Sequence, residues 1–396
     1  MDHALEQNFA DASLGTRFLV YPQVPHLSGY GKPETVWIST PPNKILPGPS
    51  DSRIYVRDPL IEKPIYEFPY LPPFIGDTFP PAEAGPDGHF DHLEPGSRQF
   101  VCAHVFACLR RVLDIWESYL GHEIIWHFSD SFERLEIIPQ IDWFNAQTGF
   151  GYMEFGIDHA ENGEAYPFAL NFDVVGHEFG HLIIFAEMGM PVSNTPTREY
   201  FGYHEGIADM IALISLMHFD SVLDRLLRRT HGNLLTMNEL NRIAELSGDK
   251  QIRSASNDRK MSNVTQEVHD LSKPFTGALF DTLIELYHHR VVEEGLVDLP
   301  ADVSHDRLFE LDALEIEAIG DRFSEAYQHR HFSLKAALED ARDLLGRAVA
   351  QSWSNLDPDN LNYANSGAAM ADAFDSMGEG NAADIIMENL AWREIL

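Results

Sequence analysis

Apolar positions recur at helical spacing from about Ser97 to Leu120, where Phe100, Val101, His104, Val105, Leu109, Val112, Leu113 and Trp116 follow a 3.6-residue period. Gly121 closes the run, so the pattern predicts one long helix packed on whatever sheet precedes it. Upstream, Thr35-Val36-Trp37-Ile38 and Arg53-Ile54-Tyr55-Val56 are short β-prone pieces in a region that holds sixteen of the 23 prolines. Proline cannot donate to a ladder, so short strands with irregular connections are expected there. Glu123 to Phe128, Glu136 to Ile141 and Phe150 to Phe155 read as further strands, and a helix is expected from Asn171 onward. Beyond about residue 205 helical stretches dominate: 205–218, 275–290, 322–330, 334–352 and 383–394. No repeat of 20–50 residues is visible. The expected fold class is α+β. Residues 1–170 form a β-rich N-terminal half with one long helix (97–120), 171–190 a central helix at the border, and 191–396 an α-helical half.

Composition narrows the function. At 396 residues with 44% hydrophobic content the chain can bury a sizeable core and has room for two domains around a shared cleft. Its formal charge of −34 gives a surface that repels nucleic acid and anionic membrane, so neither is an expected partner. Cys102 and Cys108 fall on different faces of one helix and should not pair, and two cysteines cannot make a thiolate zinc site. Any zinc must therefore use histidine and carboxylate. Met1-Asp2-His3-Ala4-Leu5-Glu6 has no basic region followed by an apolar core, and no apolar run reaches the length of a membrane span. The default expectation is a cytoplasmic protein, or a secreted one if a leader is missing or unconventional. Oligomeric state is not legible.

The chemistry concentrates at His177-Glu178-Phe179-Gly180-His181, an H-E-x-x-H pattern. Histidines four apart on a helix differ by about 40° in direction and stand one turn above each other, so both imidazoles can reach one tetrahedral cation. The intervening Glu lies on an adjacent face, close to a water on the metal without being a ligand. In a chain with 19 histidines the pentapeptide is not specific by itself. Its context adds weight: Val174-Val175 before it and Leu182-Ile183-Ile184-Phe185 after it make the helix a buried one. Two His and one Glu there need satisfied polar groups, which a metal supplies.

A third ligand is expected at Glu205, in Tyr203-His204-Glu205-Gly206-Ile207-Ala208-Asp209. Asp209, one turn on, is placed to accept the outer N–H of a zinc-bound histidine. Glu187, on the motif's own helix, and Glu199, which lacks a partner acid four residues later, are rivals. His204 is a third, but points about 100° away from Glu205.

These segments resemble the thermolysin-type gluzincins. Asp173-Val174-Val175-Gly176-His177-Glu178-Phe179-Gly180-His181 is similar to that family's D-V-V-G-H-E-x-x-H helix, and Glu205-Gly206-Ile207-Ala208-Asp209 to its E-x-x-x-D segment. Weaker likenesses keep the same order. Asn145-Ala146 resembles the edge strand that binds substrate backbone, Ile252-Arg253-Ser254-Ala255-Ser256 the segment with the substrate-carbonyl arginine, and Val268-His269 the transition-state histidine. The helix around Ala103-His104 sits where the family has its long N-terminal-domain helix. The collinear region runs from about residue 100 to 285. The resemblance implies a two-domain fold with a zinc cleft between the halves, and peptide or protein substrates. It further implies zinc on His177, His181 and Glu205, with Glu178 as general base and His269 with Tyr200 or Tyr203 as oxyanion donors. Asn145, Ala146 and Arg253 would hold the substrate backbone.

Departures from the pattern bear on particular roles. The interval from His181 to Glu205 is longer than in the family, and that from Arg253 to His269 is shorter. No upstream Asp orients His269, although Glu267 and Asp270 are near. Asp173 matches a calcium position, but Leu216 stands where another acidic ligand belongs, so Ca²⁺ is not a firm expectation. Gly151-Tyr152-Met153-Glu154-Phe155 resembles the G-x-M-E-N signature of a gluzincin aminopeptidase family, which leaves exopeptidase action open. A non-catalytic zinc-containing binding module is a third reading, kept open because no propeptide is recognisable. His89 and His92 read as a polar loop, and His288-His289 as solvated helix surface.

Overall fold

Alternation sets the first elements. In β1 (Thr16–Val20) Thr16, Phe18 and Val20 are buried and the residues between them are not, and β1 pairs antiparallel with β2 (Glu34–Ile38), Thr16 opposite Ile38. A computed structural model describes residues 15–60, 62–159, 165–192, 195–236, 238–247, 250–299 and 313–396, with backbone alone for 242–253 and 313. The Met1–Glu6 reading therefore lies outside the described residues. The fold is mixed α/β and divides into two compact units. The first comprises Met1–Ser118, Glu123–Ala186 and Ala244–Lys250; the second comprises Tyr119–His122, Glu187–Ile243 and Gln251–Leu396.

In the first unit a four-stranded sheet has the order β3 (Ile54–Val56), β4 (Leu135–Ile138), β6 (Tyr152–Phe155), β5 (Ala146–Gly149). The first three run parallel and β5 closes the edge antiparallel, Ala146 opposite Phe155. Helix α1 (Arg98–Leu120) buries an unbroken run from Phe100 to Arg110, more than one stripe, as a central helix must. Cys102 and Cys108 are both buried and free. His104, wholly buried in it, takes the Tyr21 N–H on Nε2 at 3.0 Å and lies 3.0 Å from the Ala169 carbonyl through Nδ1. A short β7 (Ile157–His159) and β8 (Ala165–Pro167) lead to α2 (Phe172–Met188).

Glu123 to Phe128 is not a strand, which corrects the sequence expectation. Ile124, Trp126 and Phe128 are buried alternately, which gives the β-like period, yet the backbone joins no ladder among the described strands. Trp126 instead stacks on Phe128 at 5.7 Å and meets the edge of Phe179 at 5.8 Å.

The second unit is helical: α3 (Arg198–Leu216), α4 (Asp220–Thr230), α5 (Val268–Glu293), α6 (Ala313–Ser352), α7 (Tyr363–Ser376) and α8 (Gly380–Trp392). Strands β9 (Arg242–Ser247) and β10 (Lys250–Ser254), which pair with each other, come before α5 in the chain, with Ala244–Lys250 counted in the first unit. Both α3 and α5 begin about a turn or more earlier than their apolar patterns suggest. The stretches expected at 322–330 and 334–352 are one helix with a non-helical residue at Arg330 (φ −133°). Gly202 and Gly206 on α3 allow the close approach of its neighbours: a Cβ on Gly202 would meet the Tyr363 hydroxyl at 2.0 Å, and one on Gly206 the Thr276 hydroxyl at 2.9 Å. Helix α5 is buried nearly all round, and His288 is among its buried residues, against Tyr287 and Phe323. The expectation of a solvated His288 is corrected, since α6 supplies Phe323 over that face; burial holds its pKa down at about 3.

Candidate metal centre

Helix α2 starts at a built cap. Asn171 Oδ1 accepts the N–H groups of Asp173 at 3.1 Å and Val174 at 3.3 Å, satisfying two donors that a helix leaves open. Asp173 Oδ2 accepts from the Gln23 amide at 3.0 Å, so the side chain matched to a calcium position has an amide partner. With the start fixed, His177 and His181 fall one turn apart on a helix whose Phe179, Leu182, Ile183 and Ile184 are buried. Their Nε2 atoms stand 3.2 Å apart, with ring planes at 86°. His177 is buried, and Glu178 and His181 are partly exposed.

Thr197 caps α3, its hydroxyl accepting the Tyr200 N–H at 3.0 Å and donating to the Leu361 carbonyl at 2.6 Å. Glu205 is partly exposed and Asp209, one turn on, is buried. The rivals to Glu205 are engaged elsewhere. Glu199 accepts the Tyr363 N–H at 2.7 Å, and Glu187 Oε2 lies 3.0 Å from His122 Nε2. His204 is buried beside the Tyr200 ring, centroids 4.7 Å apart.

One ligand atom from each of His177, His181 and Glu205 lies within 4.8 Å of the other two, the group of this kind found among the described residues. The donor set fits zinc. With bonds of about 2.0–2.1 Å, neighbouring ligands of a tetrahedral ion stand ~3.3 Å apart; the two histidine nitrogens meet that spacing.

His269 lies in the first turn of α5, capped by Glu267, whose carboxylate accepts the Asp270 N–H at 2.8 Å. Glu267 Oε1 also lies 2.9 Å from His269 Nδ1, and this bond holds the Glu267 pKa below its usual value. A carboxylate thus stands beside the His269 ring, supplied by Glu267 two residues before it rather than by an upstream Asp. On the other side of the ring, Nε2 lies 3.4 Å from Glu205 Oε2.

The tyrosines separate. Tyr203 is wholly buried, its ring against Phe275 and its hydroxyl accepting from Trp353 Nε1 at 3.0 Å. That corrects Tyr203 as a catalytic candidate, because its hydroxyl is committed to the helical core. Tyr200 is also buried, but its hydroxyl has no hydrogen-bond partner among the described residues, and burial pushes its pKa up to about 12. It remains an O–H donor across the neutral range. Asn145 precedes the edge strand β5, its carbonyl accepting the Gly156 N–H at 2.8 Å, and Ala146 begins that strand. Arg253 lies in β10, with its side chain outside the described residues.

One arrangement escaped sequence reasoning. Glu154 on β6 is fully buried and paired with Lys63, itself buried over the Tyr66 ring. It also accepts the Tyr66 N–H at 2.8 Å and the Gln147 amide at 2.6 Å. No local signal marks Lys63 as buried, since its neighbours Pro64, Pro69 and Tyr70 are exposed, and only the fold supplies its partner.

No family model matches this chain, and no curated protein matches it. Among solved structures the chain is similar to the precursor of protealysin, a metalloproteinase from Serratia proteamaculans, at 13% identity and a TM-score of 0.39, over 72% of this chain and 88% of that one.

Proposed function

We propose that this chain is a zinc-dependent peptidase of the thermolysin-like kind, with His177, His181 and Glu205 as metal ligands and internal peptide bonds as substrate. The observation that carries this reading is the convergence of those three donors, with Glu178 on the same helix as the histidines. When bound, zinc supplies Lewis acidity toward water and the scissile carbonyl. Glu178 takes the proton of the attacking water and delivers it to the leaving amine. His269 and Tyr200 donate to the oxygen that gains charge, His269 held for that task by Glu267. Asn145, Ala146 and Arg253 hold the substrate backbone, and Asp209 positions a ligand histidine. Nucleic acid and membrane are not partners in this reading, and it does not invoke calcium.

Endopeptidase action is favoured over the aminopeptidase alternative by the state of Glu154. A glutamate that binds a substrate's free amino terminus must be open to it, and Glu154 is buried with its ammonium already supplied by Lys63. The non-catalytic alternative is disfavoured by Glu178, which a structural metal does not need. Metal analysis and digestion of blocked and unblocked peptide libraries, with and without chelator, tests all three. Bound zinc with chelator-sensitive cleavage of internal bonds supports the proposal. Cleavage confined to free amino termini supports the aminopeptidase, and bound zinc without any cleavage the binding module.

A further inference from the structure

We infer that the first unit carries a binding pocket for a phosphate group, built around Arg57 and Arg134 and separate from the metal ligands. Tyr55 lies opposite Glu136 in the β3–β4 register, and the ladder continues through the Arg57 N–H to the Ile137 carbonyl at 2.8 Å. Two-residue alternation then puts Tyr55, Arg57, Arg134 and Glu136 on one face of the sheet. Both guanidinium groups lie on the Tyr55 ring, Arg134 at 4.7 Å and Arg57 at 6.0 Å from its centre. They line a pocket of about 270 Å³ that Ser50 and Thr78 also border.

What makes this a site is the pattern of charge pairing around it. Three carboxylates stand near the pocket and each is engaged elsewhere. Asp58, in its lining, binds Arg98; Asp51 lies 3.5 Å from Arg110 and accepts the N–H groups of Arg53 and Ile54; Glu136 accepts from the Tyr55 and Tyr66 hydroxyls and the Phe74 N–H. Arg134 donates to the Ser50 hydroxyl at 2.9 Å and the Asp51 carbonyl at 3.3 Å, and neither it nor Arg57 has a carboxylate partner among the described residues. In a chain with 62 acidic and 28 basic residues, two such cations sharing one concave surface call for an anion from outside. Guanidinium forks match the oxygens of a phosphate two at a time, and the Ser50 hydroxyl, which accepts from Arg134, keeps its own hydrogen to donate. The volume lies just below the usual range of ligand pockets, which suits a ligand as small as inorganic phosphate or a small phosphomonoester.

Titration calorimetry on the full chain, with inorganic phosphate and with glycerol phosphate at matched ionic strength, tests this. Both ligands are expected to bind with chelator present. Tighter binding of the ester identifies a phosphomonoester site; tighter binding of inorganic phosphate identifies a free-phosphate site. Arg57→Gln and Arg134→Gln should each weaken binding at least tenfold. Arg57 is exposed, so its variant carries the test if Arg134→Gln fails to fold. No binding at millimolar phosphate, binding abolished by chelator, or unchanged affinity in Arg57→Gln would each overturn the inference. None of these outcomes bears on peptide hydrolysis.

Discussion

His269 bridges Glu267 and Glu205, with Nδ1 2.9 Å from the first carboxylate and Nε2 3.4 Å from the second. The capping residue of α5 thereby sets the ring's orientation, and the ring's other nitrogen is aimed at a proposed zinc ligand.

From that relationship, His269→Ala is expected to lower kcat by about 10²–10³, the usual loss for one donor to a developing oxyanion. Zinc content and KM should stay near wild type. Loss of zinc in this variant, found by metal analysis, would make His269 a structural support of Glu205 instead.

The two tyrosines should behave differently. Tyr200→Phe removes a hydroxyl with no partner among the described residues and is expected to reduce kcat by about 10²–10³ at unchanged thermal stability. Tyr203→Phe strands the buried Trp353 N–H and is expected to cost about 1–3 kcal/mol of stability, seen as a lower urea midpoint. Equal kcat losses at equal stability would refute the separation.

Much of this was legible in the chain. The helix at 98–120, the α2 motif and the Glu205–Asp209 segment announce themselves through period and spacing. What was not legible follows from partners distant in sequence. Ile124, Trp126 and Phe128 alternate like a strand because aromatic packing buries every second residue without a ladder. Helix α5 was expected from residue 275, yet it starts at Val268 and runs through Pro274, its first turn polar because it carries the His269 and Glu267 pair. Helices α4 and α7 were missed. The Lys63–Glu154 pair joins residues 91 apart, beyond any local pattern.

Removing one member of that pair leaves the other charge buried. Lys63→Met is expected to destabilise by about 3–5 kcal/mol, and the double change with Glu154→Met by less than the single one. If Glu154 instead bound substrate amines, Glu154→Gln would raise KM for unblocked peptides alone, which steady-state kinetics with blocked and unblocked substrates detects.

Acid should unfold the chain through its buried histidines. Burial lowers His104 to about 4 and His288 to about 3, so the folded state refuses protons that the unfolded state binds. Their stabilising contribution is complete above pH ~6.5 and is lost as pH falls toward 4 for His104 and toward 3 for His288, on the order of 3 and 5 kcal/mol respectively. Denaturant midpoints at pH 7 and 5 should fall accordingly, and unfolding at pH 5 should take up about two protons from these sites. A midpoint independent of pH over this range would remove the claim.

The central claim is that Glu178 acts on water while His177, His181 and Glu205 hold the metal. Zinc content and hydrolysis of a blocked internal peptide bond, measured together on wild type and Glu178→Gln, test it most directly. The expected result is about one zinc per chain in both proteins and at least a thousandfold loss of hydrolysis in the variant, as expected for removal of an essential base. Zinc-free wild type, or a variant that keeps substantial activity, would contradict it.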